Sequence, residues 1–430
     1  MALRMHKRRT LTVMAGAVAV ALVASACGGD DGGGGSGGSG AAAGTETRGP
    51  ITYVQGKDNS NILAPQAERW NKAHPDQKVT IKEQSDQADQ QHDDLVQHFQ
   101  AKDPSYDVVS VDVVWTAEFA AKGWLTPLKD KLALPTDGFL EPTIKAATYN
   151  KTLYAAPTSS DGAMLYYRTD LVKTPPKTID EMWSMCSIAK KNGMDCFAGQ
   201  FAKYEGLTCN ATEWMNAYGA KMVDDAGKPT ADSPEAAKGL QQLADHYKNG
   251  DIPKQAITYQ EEQSRAAFQD GKLLFLRNWP YVYNLASTDK SSKVIGKFAV
   301  APLPGVDGPG TSTLGGHMAA ISTYSKNKAT ALDFLKFLTS EAEQKNNMEK
   351  GSLAPVIESI YTDEALVKKY PYLPVLKTSI ENAVSRPVTP FYPGITKAIQ
   401  ENSFAAIKGE KTPEAAVKDM QAAMQAATGG

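Results

Sequence analysis

The sequence predicts an α/β protein built as two lobes. Three observations carry that prediction. Between Ile51 and Gly123 short β-rich runs alternate with amphipathic helical runs, the pattern of a mostly parallel sheet covered on both faces. Roughly 400 residues follow Cys27, more than one hydrophobic core usually holds together. A strand-like stretch is interrupted by small polar residues at Pro157-Thr158-Ser159-Ser160-Asp161-Gly162, where the chain is expected to cross between lobes and absorb a hinge rotation, and Thr313-Leu314-Gly315-Gly316-His317 precedes a second crossing, followed by a helix through Phe334 and Phe337.

In chain order, Ile51-Thr52-Tyr53-Val54 is the first strand. Leu63, Ala67 and Trp70 then recur at helical spacing across Asn61 to Lys72, until His74-Pro75 stops the helix. Val79-Thr80-Ile81 is the next strand. Leu95, Val96 and Phe99 share one face of a helix from Asp89 to Gln100. Val108-Val109-Ser110-Val111 is the third strand, and a helix through Phe119 ends at Gly123. Beyond the first crossing, Thr178 to Lys191 reads as helical. Ser233-Pro234 opens a helix with Leu240, Leu243, Ala244 and Tyr247 as its buried stripe and Asn249-Gly250 as its end. Gly271 separates a helix from the strand Lys272–Leu276, which runs into Arg277-Asn278-Trp279-Pro280-Tyr281. Helices dominate the remainder, the last opening at Thr412-Pro413-Glu414.

The N-terminus has its own grammar. Arg4, Lys7, Arg8 and Arg9 form a basic head, and the uncharged run from Leu11 to Ala24 is too short for the ~20 apolar residues of a membrane span. Small residues follow, and residues 1–26 read as a secretory signal. With Cys27 directly after Ala24-Ser25-Ala26, the pattern resembles a bacterial lipoprotein signal, in which that Cys is lipidated. Ala24-Ser25-Ala26 is also an ordinary cleavage site, the alternative. Gly28 to Gly44 is almost wholly Gly, Ser, Ala and Asp. This flexible leash, 27–49 in all, suits an anchored protein better than a secreted one. Arg8-Arg9 leaves the general and twin-arginine export routes both open.

A formal net charge of −2 argues against nucleic acid or an anionic membrane surface as partner. With Cys27 assigned to lipid, Cys186, Cys196 and Cys209 remain in an oxidising compartment. Nine residues separate Cys186 from Cys196, and a bridge there is worth roughly 3 kcal/mol by loop entropy. That pairing is preferred, with three buried thiols as the alternative. No Cys or His pair has the spacing of a metal site, and no metal or other cofactor is expected. Gly34-Gly35-Ser36-Gly37-Gly38 and the G-x-G-x-x-G match from Gly33 to Gly38 lie in the leash, outside any strand–helix context, and there is no Walker A sequence.

The predicted sheet places chemistry. Ligands bind beyond the carboxyl ends of strands in open α/β sheets, so Asp58 and Asn59, after the first strand, should meet Asp112, after the third, in one crevice. Asp112 reads equally as a helix N-cap. Trp115, Trp279, Tyr281 and Tyr392 look exposed. Aromatic faces stack on sugar rings, and carboxylates or Arg bind hydroxyls at ~1.5–3 kcal/mol each. Core packing is the competing role for each ring, and Trp279 escapes it best because Pro280 ends its strand.

Together these stretches carry a resemblance. Val111-Asp112-Val113-Val114-Trp115, Gly123-Trp124-Leu125-Thr126-Pro127-Leu128, Leu165-Tyr166-Tyr167-Arg168-Thr169-Asp170-Leu171, Lys203-Tyr204-Glu205-Gly206-Leu207, Arg277-Asn278-Trp279-Pro280-Tyr281, Val300-Ala301-Pro302-Leu303-Pro304, Thr313-Leu314-Gly315-Gly316 and Ser385-Arg386-Pro387-Val388 stand in order. Residues 50 to about 425 resemble the solute-binding proteins of carbohydrate ABC importers, of the trehalose/maltose-binding type. The resemblance implies a two-lobed periplasmic-binding-protein type II fold, with 50–160 and 316–362 in the N-terminal lobe and 161–315 and 363–430 in the C-terminal lobe. It implies that Asp112 and Asp161 bind glucosyl hydroxyls, that Trp279 and Tyr281 form an aromatic platform, that Gly316 contributes backbone and that Arg386 binds a hydroxyl. Glu205 and Trp115 lie in matching motifs. His317 stands where close relatives place Trp, and Asn59 where a relative uses Glu. The implied partners are a small carbohydrate, a membrane permease with a separate ATPase subunit, and the membrane through lipid, with the protein itself a monomer. Two rivals stand beside this reading. An anchored glycoside hydrolase could use Asp112, Asp161 and Glu205 as paired carboxylates, and the same fold could bind a peptide, polyamine or metal.

Overall fold

The computed structural model describes residues 45–429. The signal, Cys27 and the leash up to Gly44 therefore lie outside the described residues. Two main sheets organise the rest. The first has the strand order Val79–Glu83, Ile51–Gln55, Val108–Asp112, His317–Ile321, Ala155–Pro157. The second runs Phe298–Ala301, Met164–Arg168, Leu273–Asn278, Asp195–Ala198.

The first three predicted strands are present and parallel to one another. The expectation of a mostly parallel sheet needs correction, because His317–Ile321 enters antiparallel to both Val108–Asp112 and Ala155–Pro157. In the second sheet Asp195–Ala198 and Leu273–Asn278 are parallel, while the other two pairings are antiparallel. The reason is topological. Ala155–Pro157 runs out of the first sheet into a crossing, and His317–Ile321 returns from the other side, so it meets its neighbours head to tail.

Side-chain alternation along the strands covers both faces of the first sheet. Tyr53 packs edge-on against Phe334 at 5.4 Å between centroids, and Trp70 joins the same cluster at 5.3 Å. Val54, Val109 and Val111 belong to the opposite layer with Leu95, Phe99 and Phe119. Helix ends follow the predicted signals. Ser233 Oγ accepts from the Ala236 amide at 3.1 Å, Pro234 occupies the first turn, and Gly250 closes the helix Pro234–Asn249 at φ 82°. Thr178 and Glu181 form a reciprocal capping box, so the predicted helical stretch to Lys191 begins where expected but is two short helices, Ile179–Ser184 and Cys186–Lys191. Cys186 and Cys196 are disulfide-bonded with Cα atoms 5.0 Å apart, tying the second of these helices to strand Asp195–Ala198. Cys209 is free and buried. Among the described residues no helix is long and apolar enough to cross a membrane.

The two crossings lie side by side. Asp161 and Gly315 exchange backbone hydrogen bonds, 3.1 Å from the Asp161 amide to the Gly315 carbonyl and 2.8 Å in return. Gly316 is at φ 116°, and a Cβ there would sit 2.3 Å from the Ser159 carbonyl oxygen. Only glycine fits that contact, since the backbone is both left of the usual region and closely approached.

Candidate binding site

A cavity of about 250 Å³ opens where the two sheets face each other across the crossings. Its wall draws on both sheets. Asp58 and Asn59 come from the loop after the first strand, and Asp112 from the end of the third. Asp161, Gly316 and His317 come from the crossings. Glu205 opens the helix Glu205–Ala217, Trp279 and Tyr281 follow strand Leu273–Asn278, and Arg386 follows the helix Leu373–Glu381. Residues as far apart in sequence as Tyr53 and Arg386 thus meet around one space.

Arg386 is the centre of charge. Its guanidinium donates to Asp112 Oδ1 at 2.8 Å, to Glu205 Oε1 at 2.5 Å and to the Leu314 carbonyl at 3.3 Å. Asp112 Oδ1 also accepts from the Val114 amide at 3.2 Å; it reaches the crevice and ties the turn after its strand, but it is not the helix N-cap, which is Trp115 of the helix Thr116–Ala121. Glu205 is filled by protein donors, since Thr396 Oγ1 donates to Oε2 at 2.6 Å and the Tyr392 hydroxyl to Oε1. Burial pushes the Glu205 carboxyl up, against the opposing pull of Arg386.

The cluster is incomplete. Among the described residues Arg386 Nε is buried without a partner, and no side-chain donor reaches Asp161. Burial, reinforced by the Asp112 charge, pushes the Asp161 carboxyl up to about 7. A partly buried carboxylate that faces the cavity with no side-chain donor leaves its acceptor capacity to whatever occupies that space. Burial also lowers the pKa of His317, so the imidazole stays neutral to a lower pH than an ordinary histidine. Its strand register sets it opposite Asp112.

The aromatic wall is firmly mounted. The Arg277 guanidinium lies 3.9 Å from the centroid of the Trp279 ring, within range of a cation–π contact. A Cβ on Gly315 would meet that ring at 3.0 Å, so Gly315 makes room for it. The Tyr281 hydroxyl donates to Glu262 Oε1 at 2.6 Å, and Glu262 is held in turn by Arg265.

Three expectations change. Trp115 is not part of the wall: it is 4 % exposed and its ring packs against His92 and Phe119 at 5.4 and 6.2 Å. It stands at the start of the short helix Thr116–Ala121, where the turn after Asp112 folds it into the core. Tyr392 is not exposed either; it is 1 % exposed and serves Glu205 from behind. Asp58 lines the cavity as expected, but its Oδ2 is already used by the Leu63 amide at 2.8 Å, which ties the loop to the first residue of the helix Leu63–Ala73. Sequence reasoning also missed Gln260, Glu261, Glu262 and Gln263, which all line the cavity from the first turn of helix Glu261–Gln269. That run signals a helix start, with Gln260 and Gln263 forming its capping box; nothing in the pattern says which way the turn faces.

Comparison with known proteins agrees with this architecture. Residues 54–345 match the family model for bacterial extracellular solute-binding proteins. A probable ABC transporter-binding protein of Deinococcus radiodurans is 33% identical over 341 residues, covering 76% of this chain and 80% of that protein. The structure of maltose-bound MalE3 from T. maritima superposes with a TM-score of 0.83 at 34% identity, covering 87% of this chain and 99% of that one. A solute-binding protein of an ABC transporter from Thermotoga lettingae TMO, bound with α-D-tagatose, gives 0.79 at 26% identity, with 88% and 99% covered. The fold is therefore the two-lobed one of these binding proteins, and the chain is a binding protein rather than an enzyme. With the cavity set at the crossings between two sheets and the family model spanning most of both, the chain belongs to the bacterial extracellular solute-binding proteins.

Proposed function

We propose that the protein is the substrate-binding component of an ABC sugar importer, capturing an α-glucoside such as maltose, trehalose or a related oligosaccharide by closing two lobes over it. The observation that carries this is the open acceptor Asp161 beside Asp112, facing one cavity with the Trp279 ring. Sugar hydroxyls are donors that would satisfy the carboxylates, and a sugar's C–H face suits an aromatic platform. The maltose held by the T. maritima relative supports the α-glucoside class. In this reading the lobes are 50–160 with 316–362, and 161–315 with 363–430. Asp112 and Arg386 approach from different lobes, so a solute that completes their bonding favours the closed state by its differential affinity.

Lipid on Cys27 would hold the binder near its permease, and the leash would raise its effective concentration there. The permease would hand ATP hydrolysis to a separate subunit, with the binder acting as a monomer. A micromolar dissociation constant corresponds to ~8 kcal/mol, within reach of several charge-assisted bonds plus stacking. Calorimetry with trehalose, maltose, sucrose and longer maltodextrins is the test. Saturable binding of at least one is expected, and heat from none of them ends the α-glucoside reading. Trp279→Ala is expected to weaken that binding by about 100-fold or more, on the scale of a lost aromatic anchor, with little change in unfolding temperature.

A further inference from the structure

One buried carboxylate outside the cavity bonds the arginine behind the aromatic wall and the residues of the returning crossing, and reaches the outgoing crossing through Ser312. Glu213 sits two turns along the helix that Glu205 opens. Its Oε2 accepts from Arg277 Nε at 2.8 Å and its Oε1 from another guanidinium nitrogen at 2.5 Å. The same Oε1 accepts from the Thr313 amide and from Thr313 Oγ1, both at 3.0 Å, on the returning crossing. Ser312 Oγ lies 3.3 Å from Oε1 and accepts from the Ala163 amide at 2.8 Å, on the outgoing crossing. Arg277 in turn backs the Trp279 ring. Neither Glu213, Arg277 nor Thr313 lines the cavity.

We infer that Glu213 is a positioning residue that couples the Trp279 platform to both crossings, so that a solute stacked on the ring is felt where the lobes rotate. The inference rests on the reading above, in which Trp279 stacks on the solute. Stability alone does not call for this arrangement, because well-packed apolar residues serve a buried position as well as an ion pair does. What the ion pair adds is direction. The guanidinium fork fixes two bonds to Glu213, and its central carbon stands 3.9 Å from the indole centroid. Glu213 then presents its remaining capacity to the backbone of Thr313, a residue three positions before Gly316. A shift of the ring therefore changes the bonding available to the crossing, through three contacts in series.

The test uses the full chain with Arg277→Lys and Thr313→Val. Lysine keeps a countercharge for Glu213 but loses the planar fork, and valine keeps the shape of threonine but loses the hydroxyl bonded to Glu213. In ligand-free protein, Arg277→Lys is expected to speed hydrogen exchange of the Thr313 amide by about tenfold, a local opening rather than a global one. Thr313→Val is expected to weaken maltose by roughly three- to tenfold, the scale of coupling within one network. It should also shrink the maltose-induced drop in radius of gyration, while the unfolding temperature stays within a few degrees of wild type. Folded variants with wild-type affinity, compaction and exchange at Thr313 overturn the inference. If Arg277→Lys does not fold, Thr313→Val decides alone. If wild type itself binds none of the sugars, the α-glucoside reading fails separately, and unchanged exchange at Thr313 in Arg277→Lys still overturns the coupling.

Discussion

Two arginines in this protein are equally buried, yet they are finished to different degrees. Arg277 and Arg386 each leave 2% of their side chain exposed, and each is paired with carboxylate. Every guanidinium nitrogen of Arg277 has a partner, two on Glu213 and one on Gln200 Oε1 at 2.8 Å. Arg386 has an orphan Nε, and Asp161, which lines the same cavity, is met by no side-chain donor among the described residues. Buried polar groups are normally satisfied, so an unfinished cluster beside a cavity points to a missing partner. A finished cluster a few residues away shows that the fold is able to complete such networks. The difference separates the part of the molecule that waits for a solute from the part that holds the wall still.

The strongest way to break this contrast is Arg386→Met. Removing one member of a buried ion pair leaves its partners uncompensated, at a cost of about 3–5 kcal/mol. Here two carboxylates, Asp112 and Glu205, lose their shared cation. Urea unfolding is expected to show that loss at pH 8. The deficit should shrink as pH falls, because the stranded carboxylates take up protons and cease to repel. Calorimetry should show no sugar binding at either pH. A variant as stable at pH 8 as wild type would mean the guanidinium is dispensable to the fold.

Asp161→Asn sharpens the comparison through pH. The Asp161 carboxyl in the folded protein titrates near 7, against an ordinary 3.8. Because its folded pKa is raised, the folded state binds the extra proton between those values. That contribution to stability is full below about 3.8 and is lost as pH rises through about 7. Each pKa unit is worth about 1.4 kcal/mol, so the ligand-free wild type should lose up to about 4 kcal/mol relative to Asp161→Asn across that window. The measurement is the difference in urea midpoint between the two proteins at pH 4 and pH 8. Binding should run the other way: a hydroxyl that donates to the charged carboxylate releases the proton, so wild-type affinity should rise through pH 7. An equal difference at both pH values would show that Asp161 is not the open acceptor.

What the sequence made legible follows the same division. Strand ends and crossings are written in local pattern, and the strand ends put Asp58, Asn59 and Asp112 together before any coordinate is known, as the cavity lining bears out. Asp161, Gly316 and Arg386 come from motif likeness, and Trp279 from that likeness together with the Pro280 that ends its strand. The direction of His317–Ile321 was not legible, because nothing local tells a returning strand from a continuing one. Trp115 and Tyr392 were misplaced for a related reason: an aromatic beside a turn looks exposed until the layers packed over it are known. Glu213 carried no signal at all. Its meaning lies in partners 64 and 100 residues away, and a carboxylate inside a helix reads simply as a solvated face.

The smallest effect belongs to Asp58, and it tests whether an acceptor already in use still serves the solute. Its Oδ2 is engaged by the Leu63 amide, unlike either oxygen of Asp161. Asp58→Ala removes that acceptor and should cost about 1 kcal/mol of stability, whereas Asp58→Asn keeps an accepting oxygen and should cost only a few tenths. Affinity for the best sugar found by calorimetry should fall by no more than about threefold in Asp58→Asn, since a neutral amide oxygen still accepts from a hydroxyl at somewhat lower strength. The same change at Asp161 removes a charge in the wall that no side-chain donor meets among the described residues, and should cost far more affinity at pH 8. If the two Asn variants lose affinity equally, open hydrogen-bonding capacity is not what marks the binding residues, and the contrast between the two arginines loses its functional meaning.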